Sequence, residues 1–205
     1  MALLKHNNNS ISNVTSFPLV PSGSPTLLAT ATASASASLS FNSTYINGDY
    51  QIYKFEFINI HPATDAVDFT FNISSDNGSN YNVTKTTTAF ASYHDEADTE
   101  SGLTYTAGDD LAQSTGEQTL SHTGAIGNDA DASTSGTLTL YNPSNIVFVK
   151  HFIARLNYYN SGNYSIDCFT AGYANISSAV NAVRFKMSSG NIDAGQIKLY
   201  GLGAN

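Results

Sequence analysis

The sequence predicts an all-β protein: an antiparallel β-sandwich, jelly-roll-like, with an extended N-terminal arm. Three observations carry this. Ser, Thr and Asn supply 68 of the 205 residues, whereas Asp, Glu, Lys and Arg supply only 24. Helix surfaces are usually written in Glu, Lys, Arg and Ala, while the solvent faces of strands accept Thr and Ser well. Apolar residues recur at every second position in several stretches, the period of a strand. Turn-forming residues separate those stretches at the short, regular spacing of a sandwich or jelly roll.

Residues 1–25 are polar and broken by Pro18, Pro21 and Pro25, with Gly23 between them, so they read as an arm rather than a packed element. Within the arm, Phe17, Leu19 and Val20 form the apolar cluster that would dock on a neighbouring surface. The domain proper is expected over residues 26–205. It opens with a long alternation, Ala31-Thr32-Ala33-Ser34-Ala35-Ser36-Ala37-Ser38-Leu39-Ser40-Phe41, which predicts a strand whose small inner face is closely packed.

Residues 50–60 form the richest expected strand, with Tyr53, Phe55 and Phe57 on one face and Ile52, Ile58 and Ile60 on the other. Apolar residues on both faces indicate a doubly covered strand. Val67, Phe69, Phe71 and Ile73 alternate with Asp68, Thr70, Asn72 and Ser74, the pattern of a half-buried strand. Asp76-Asn77-Gly78 then reads as a hairpin turn into a Thr-rich return strand over 81–93. Further strands are expected over 136–140, 146–156, 166–170, 180–187 and 192–200, with a hairpin loop at 158–164.

Residues 94–135 break the pattern. They hold nine of the sixteen acidic residues, and no Lys or Arg occurs between Lys85 and Lys150. This reads as a long, exposed, acidic insertion with short strands near 103–105 and 118–120; long insertions in compact domains are commonly functional or mobile.

Composition also bounds function. A net charge of -8 argues against nucleic acid, whose binders cluster Lys and Arg. No apolar run approaches the length of a membrane span, and the first residues show no signal-peptide core. Cys168 is the only cysteine, so no intrachain disulfide forms; its alternating apolar neighbours predict a buried, inert thiol.

Catalysis needs a positioned nucleophile, base or metal. There is no Gly-x-Ser-x-Gly, no His-Glu-x-x-His and no phosphate loop, and the five histidines have no ligand spacing. His94-Asp95-Glu96 is the densest titratable cluster; Asp109-Asp110 and Asp129-Ala130-Asp131 could offer oxygens to calcium. A solvated acidic loop is the preferred account of them, so the expectation is no catalytic, cofactor or metal site. Tyr158, Tyr159 and Tyr164 cluster about one expected loop and form a candidate recognition surface for a glycan.

Three stretches resemble a family of bacteriophage virion structural proteins of the marine-phage type: Asn8-Asn9-Ser10-Ile11-Ser12-Asn13-Val14; residues 53–65 with Ser74-Ser75-Asp76-Asn77-Gly78-Ser79-Asn80-Tyr81; and residues 185–201, ending Ile197-Lys198-Leu199-Tyr200-Gly201. Together they cover about a third of the chain. The resemblance implies a non-catalytic virion protein of the tail-fibre, head-fibre or head-decoration class. Its partners would be other virion proteins and copies of itself, with a host surface glycan as the ligand of the alternative receptor-binding reading. A glycan-degrading enzyme using acids of the insertion is the least favoured expectation.

Overall fold

A computed structural model describes residues 24–122 and 126–204; the expected arm anchors Phe17, Leu19 and Val20 lie outside them. The chain forms β1 (Thr26–Thr32), β2 (Leu39–Phe41), β3 (Tyr50–Pro62), β4 (Phe69–Ser74), β5 (Lys85–Asp95), β6 (Ser101–Tyr105), β7 (Gln118–Thr119), β8 (Thr134–Tyr141), β9 (Lys150–Tyr159), β10 (Tyr164–Ala174), β11 (Ala182–Met187) and β12 (Ile192–Ala204). They build the expected antiparallel sandwich from two unequal sheets, ordered β1-β12-β3-β8-β9-β10-β5-β6 and β2-β11-β4-β7. No helix occurs among the described residues, so none is long and apolar enough to cross a membrane.

Aromatic rings fill the space between the sheets. Phe185 of β11 lies 5.1 Å from both Phe55 and Phe57 of β3, and 5.9 Å from its neighbour Phe69. Phe71 meets Phe152 edge-on at 5.0 Å. Such edge-to-face pairs add about 0.5–1.5 kcal/mol each beyond the area they bury.

The alternation over 26–41 is not one strand. Ala35 takes a positive φ of 49°. Before it, β1 pairs with β12; after it, β2 pairs with β11 in the other sheet. One segment thus turns the corner between the sheets, as orthogonal corners in sandwiches do.

Strand β3 shows why its two faces looked equally apolar. Tyr53, Phe55 and Phe57 point inward and are buried, and then the phase slips: Asn59, with φ 50°, bulges and Ile60 turns into the core as well. Gly195 lies against this bulge with φ 110°, and a Cβ there would sit 2.4 Å from the Asn59 carbonyl oxygen. Ile52 and Ile58 remain half-buried on the outer side.

Strand β4 is buried on both faces rather than one. Its polar side chains are covered and paired: Thr70 Oγ1 donates to the Lys186 carbonyl at 3.0 Å, and Asn72 Nδ2 to the carbonyls of Tyr81 and Thr115 at 2.9 and 3.1 Å. The chain passing Asn77 and Gly78, both at positive φ, does not close a hairpin. It leaves for the larger sheet, where β5 pairs with β10 and β6.

The acidic segment is built into the sandwich rather than lying wholly outside it. β6 pairs with β5, and β7 pairs with β4. Ile126 is fully buried and bridges Val67 and Asn160. The strand expected over 146–156 begins only at Lys150, because Asn145 Oδ1 accepts the N–H groups of Val147 and Phe148 and holds the residues before it in a loop.

Two lysines are fully buried. Lys150 Nζ donates to the carbonyls of Phe148, Ser177 and Ile176 at 2.7, 3.0 and 3.1 Å, clasping two loops. Lys85 Nζ donates to Asn72 Oδ1 at 2.6 Å and to the Val83 carbonyl at 3.0 Å. Burial pushes its ammonium down to about 8, with Glu117 opposing the change.

Candidate functional site

The cross-strand register places the outward residues of the larger sheet in rows. One row runs Tyr105, Phe90, Phe169, Arg155, Thr137, Glu56 and Lys198 across β6, β5, β10, β9, β8, β3 and β12. Its β6–β9 half is aromatic. Phe90 and Phe169 stack at 4.8 Å and 6°, and the Arg155 guanidinium lies 4.8 Å from the centre of the Phe169 ring. Arg155 is held there by Asp167, which accepts from Nη2 at 2.8 Å and Nε at 3.0 Å. The other half carries Glu56 and Lys198 and is charged.

Beside this row the same strands form an apolar trough of about 510 Å³. Its walls are Thr86 and Thr88 of β5, His151 and Ile153 of β9 and Tyr173 of β10. Its floor is low because β10 carries only Ala171 between those walls. Ile153 is 52 % exposed. No wall or floor residue is acidic or a lysine or arginine.

A second apolar feature is the loop before β9. Ile146, Val147 and Phe148 are 75, 67 and 70 % exposed. The loop is set rather than loose: Asn145 Oδ1 accepts the backbone N–H of both Val147 and Phe148 at 2.7 Å. Single exposed hydrophobics are ordinary; three consecutive ones in a loop fixed by hydrogen bonds are not.

The three tyrosines of the expected recognition loop separate. Tyr158 is only 1 % exposed, because β9 turns its even-numbered residues to the core. Its hydroxyl accepts the His122 N–H at 3.0 Å, and burial raises its pKa, so it has no face to offer a ligand. Tyr159 and Tyr164 are half-buried at the two ends of the β9–β10 loop. Tyr159 donates to Asn163 Oδ1 at 2.6 Å and Tyr164 to Glu100 Oε2 at 2.8 Å.

The acidic candidates are spent on local structure. Asp95 accepts the Thr99 hydroxyl and the backbone N–H groups of Glu100 and Thr99 at 2.8 and 2.9 Å, which together hold its carboxyl below the usual range. Asp98 pairs with His94 at 3.2 Å, and Glu96 lies on the rim of the same loop. Asp110 accepts the Tyr105 hydroxyl. Asp131 is exposed, and the Asp129 carbonyl oxygen lies 3.2 Å from His61 Nε2. No group of three or more potential ligands is assembled for a metal among the described residues.

One pairing has no signature in the sequence. Buried Asp109 holds His122 Nδ1 at 2.8 Å across thirteen residues. His122, Tyr93, Glu100, Thr104, Asn160 and Tyr164 border a cleft of about 390 Å³ between β6 and the β9–β10 loop. The Asp109 carboxylate thus fixes the orientation of the His122 ring at the edge of this cleft. The thiol of Cys168, buried behind Tyr158, is pushed up to about 12 by burial and is not a nucleophile.

No family model matches the chain, and comparison with curated proteins and with solved structures found no match.

Proposed function

We propose that this protein is a non-catalytic virion structural subunit, an outer-surface head decoration or cement protein or a fibre subunit, that acts by assembly with copies of itself and with other virion proteins. The observation that carries this is the exposed apolar surface: the Ile146-Val147-Phe148 tip together with Leu103, Tyr105, Phe90 and Ile153 on one half of the larger sheet. Fully exposed, such a surface costs water-contact free energy at about 25 cal/mol per Å², which association recovers. The charge-poor composition supports the same reading, because hydroxyls and amides are less costly to desolvate than ions. The arm, with Phe17, Leu19 and Val20 as anchors, would join one subunit to the next. The resemblance of both ends of the chain to phage virion proteins supplies the setting.

Light scattering on the full chain tests the reading. The wild type is expected to form an oligomer that the triple substitution Ile146→Ser, Val147→Ser, Phe148→Ser weakens without changing thermal stability. A wild type that stays monomeric at high concentration would refute it.

A second reading, recognition of a host surface glycan, draws on the cleft beside His122, where Tyr93 and Tyr164 offer ring surface and Glu100 and Asn160 offer hydrogen bonds. Glycan-array binding that disappears in Tyr164→Ala would favour it over assembly.

A further inference from the structure

The two buried lysines end on different chemistry. Lys150 meets three backbone carbonyls, whereas Lys85 ends on a side-chain amide. Lys85 Nζ lies 2.6 Å from Asn72 Oδ1, and Lys85 is fully buried. With a C=O bond of about 1.2 Å, the Asn72 carbonyl carbon is within about 3.8 Å of that nitrogen. Bond formation starts from separations of about 3–3.5 Å, so amine and amide stand close to attack range.

The amide is held one way round. Its Nδ2 donates to the carbonyls of Tyr81, Thr115 and Gly116 at 2.9, 3.1 and 3.4 Å. Its Oδ1 accepts the Ile73 N–H at 2.9 Å. A backbone donor therefore already sits on the oxygen where negative charge gathers when a carbonyl is attacked.

A carboxylate completes the group. β7 pairs with β4 in the register Phe71 to Gln118, so Glu117 comes next, beside Asn72. Its charge acts on the Lys85 ammonium. One Glu117 oxygen pairs with Arg184 of β11, the residue opposite Asn72 on that strand. The other, Oε2, is buried and has no hydrogen-bond partner among the described residues. A buried carboxylate oxygen left in that state is a ready proton acceptor. Burial brings the Lys85 ammonium down to about 8, so the nucleophilic free amine is accessible in mild alkali.

We infer that Lys85 and Asn72 are the two ends of an intramolecular isopeptide crosslink that the folded chain forms by itself, with Glu117 carrying the proton. Glu117 takes one proton from the Lys85 ammonium, and the freed lone pair of Nζ attacks Asn72 Cγ. The Nζ–Cγ bond forms and the Cγ–Nδ2 bond breaks. Nδ2 takes one proton from the attacking nitrogen and the one held by Glu117, and leaves as ammonium. Nothing is oxidised or reduced. A buried charge departs and a neutral amide remains, which relieves the cost of holding that charge away from water. The bond ties β4 of the smaller sheet to β5 of the larger one, in a chain whose single cysteine allows no internal disulfide. Below about pH 8 the ammonium dominates and the step is slow, so protein kept near neutral pH starts as the free lysine. The crosslink lies in the interior and is independent of the surface that carries the assembly reading.

Intact-mass spectrometry of the full chain, purified at pH 6 and then held at pH 9, tests it. The wild type is expected to become lighter by one ammonia. Trypsin does not cut after an acylated lysine, so the denatured product should keep residues 55–150 in one fragment, where free Lys85 gives 55–85 and 86–150. Asn72→Ala is expected to be cut at Lys85, and Glu117→Gln to crosslink at least tenfold more slowly with an unchanged circular dichroism spectrum. Ring closure at Asn47-Gly48 or Asn77-Gly78 also expels ammonia but leaves Lys85 open to trypsin. A folded wild type that is still cut completely at Lys85 after incubation overturns the inference, whatever its oligomeric state. Crosslinking of Glu117→Gln at the wild-type rate overturns the part given to Glu117.

Discussion

Lys85 makes the stability of this protein rise with pH in the range where most proteins begin to lose theirs. The side chain is fully buried, and its ammonium titrates near 8 rather than 10.5. A group whose folded pKa lies below its unfolded one binds its proton more weakly when folded. The unfolded chain then carries more protons between the two values, and stability increases with pH across that window. Below about 8 the full cost of holding the buried charge is present; above 10.5 it has gone. At about 1.4 kcal/mol per pH unit the gap amounts to about 3 kcal/mol, of which roughly 2.5 is recovered between pH 7 and 10. Cys168 acts the other way: its folded thiol titrates near 12 rather than 9.0, so stability falls as pH rises above 9. Comparison with Lys85→Met cancels that term, since both proteins keep the thiol. Loss of the lysine leaves Asn72 Oδ1 still accepting the Ile73 N–H at 2.9 Å, so the variant is expected to fold. Urea unfolding followed by far-ultraviolet circular dichroism at pH 7, 8, 9 and 10 would give both stability curves. The difference between them should move in favour of the wild type by about 2.5 kcal/mol over that range. A difference that stays flat within 0.5 kcal/mol would show that Lys85 is not held in a desolvated site, and the reasoning would fail.

Two further substitutions test the packing. Lys150→Met removes the common donor of three carbonyls, and the groups left without a partner should cost about 3 kcal/mol, a drop of roughly 6–12 °C in melting temperature by scanning calorimetry. Phe185→Ala opens the centre of the ring cluster between the sheets and should cost about 3–5 kcal/mol in chemical denaturation; a loss below 1 kcal/mol would mean that the core closes over the gap.

The sandwich was legible because period-two patterns report directly which side of a strand is dry. Tyr53, Phe55 and Phe57, or Phe152, Ala154 and Leu156, admit no other register. What escaped were the places where a single residue resets that register. Ala35 and Asn59 adopt positive φ, an option that alanine has no sequence signal for and that asparagine only permits. The apolar run at 146–149 reads as strand because hydrophobicity does not distinguish a buried edge from a docking tip; Asn145 fixing the loop is the only local clue. Tyr158 was misjudged with its neighbours because a cluster in sequence alternates inside and outside on a strand. The Asp109–His122 pair joins two irregular segments, and no spacing rule anticipates such a contact. The trough was invisible for the same reason: Thr86, His151 and Tyr173 come from three strands, and only the sheet order sets them side by side.

The strand order also dictates a schedule. β3 is flanked by β8 on one side and by β12, the last strand, on the other. During synthesis the most aromatic strand among the described residues therefore waits with one edge open while the 129 residues between Pro62 and Ile192 are made. At about 5–20 residues per second that wait lasts roughly 6–26 s. Throughout it, β3 presents an unpaired row of backbone donors and acceptors beside Tyr53, Phe55 and Phe57, the kind of edge to which another nascent chain adds most readily. Closure of that edge waits until β12 has left the ribosome. A ribosome that stalls just before β12 leaves a nearly complete sandwich with its widest seam unsewn.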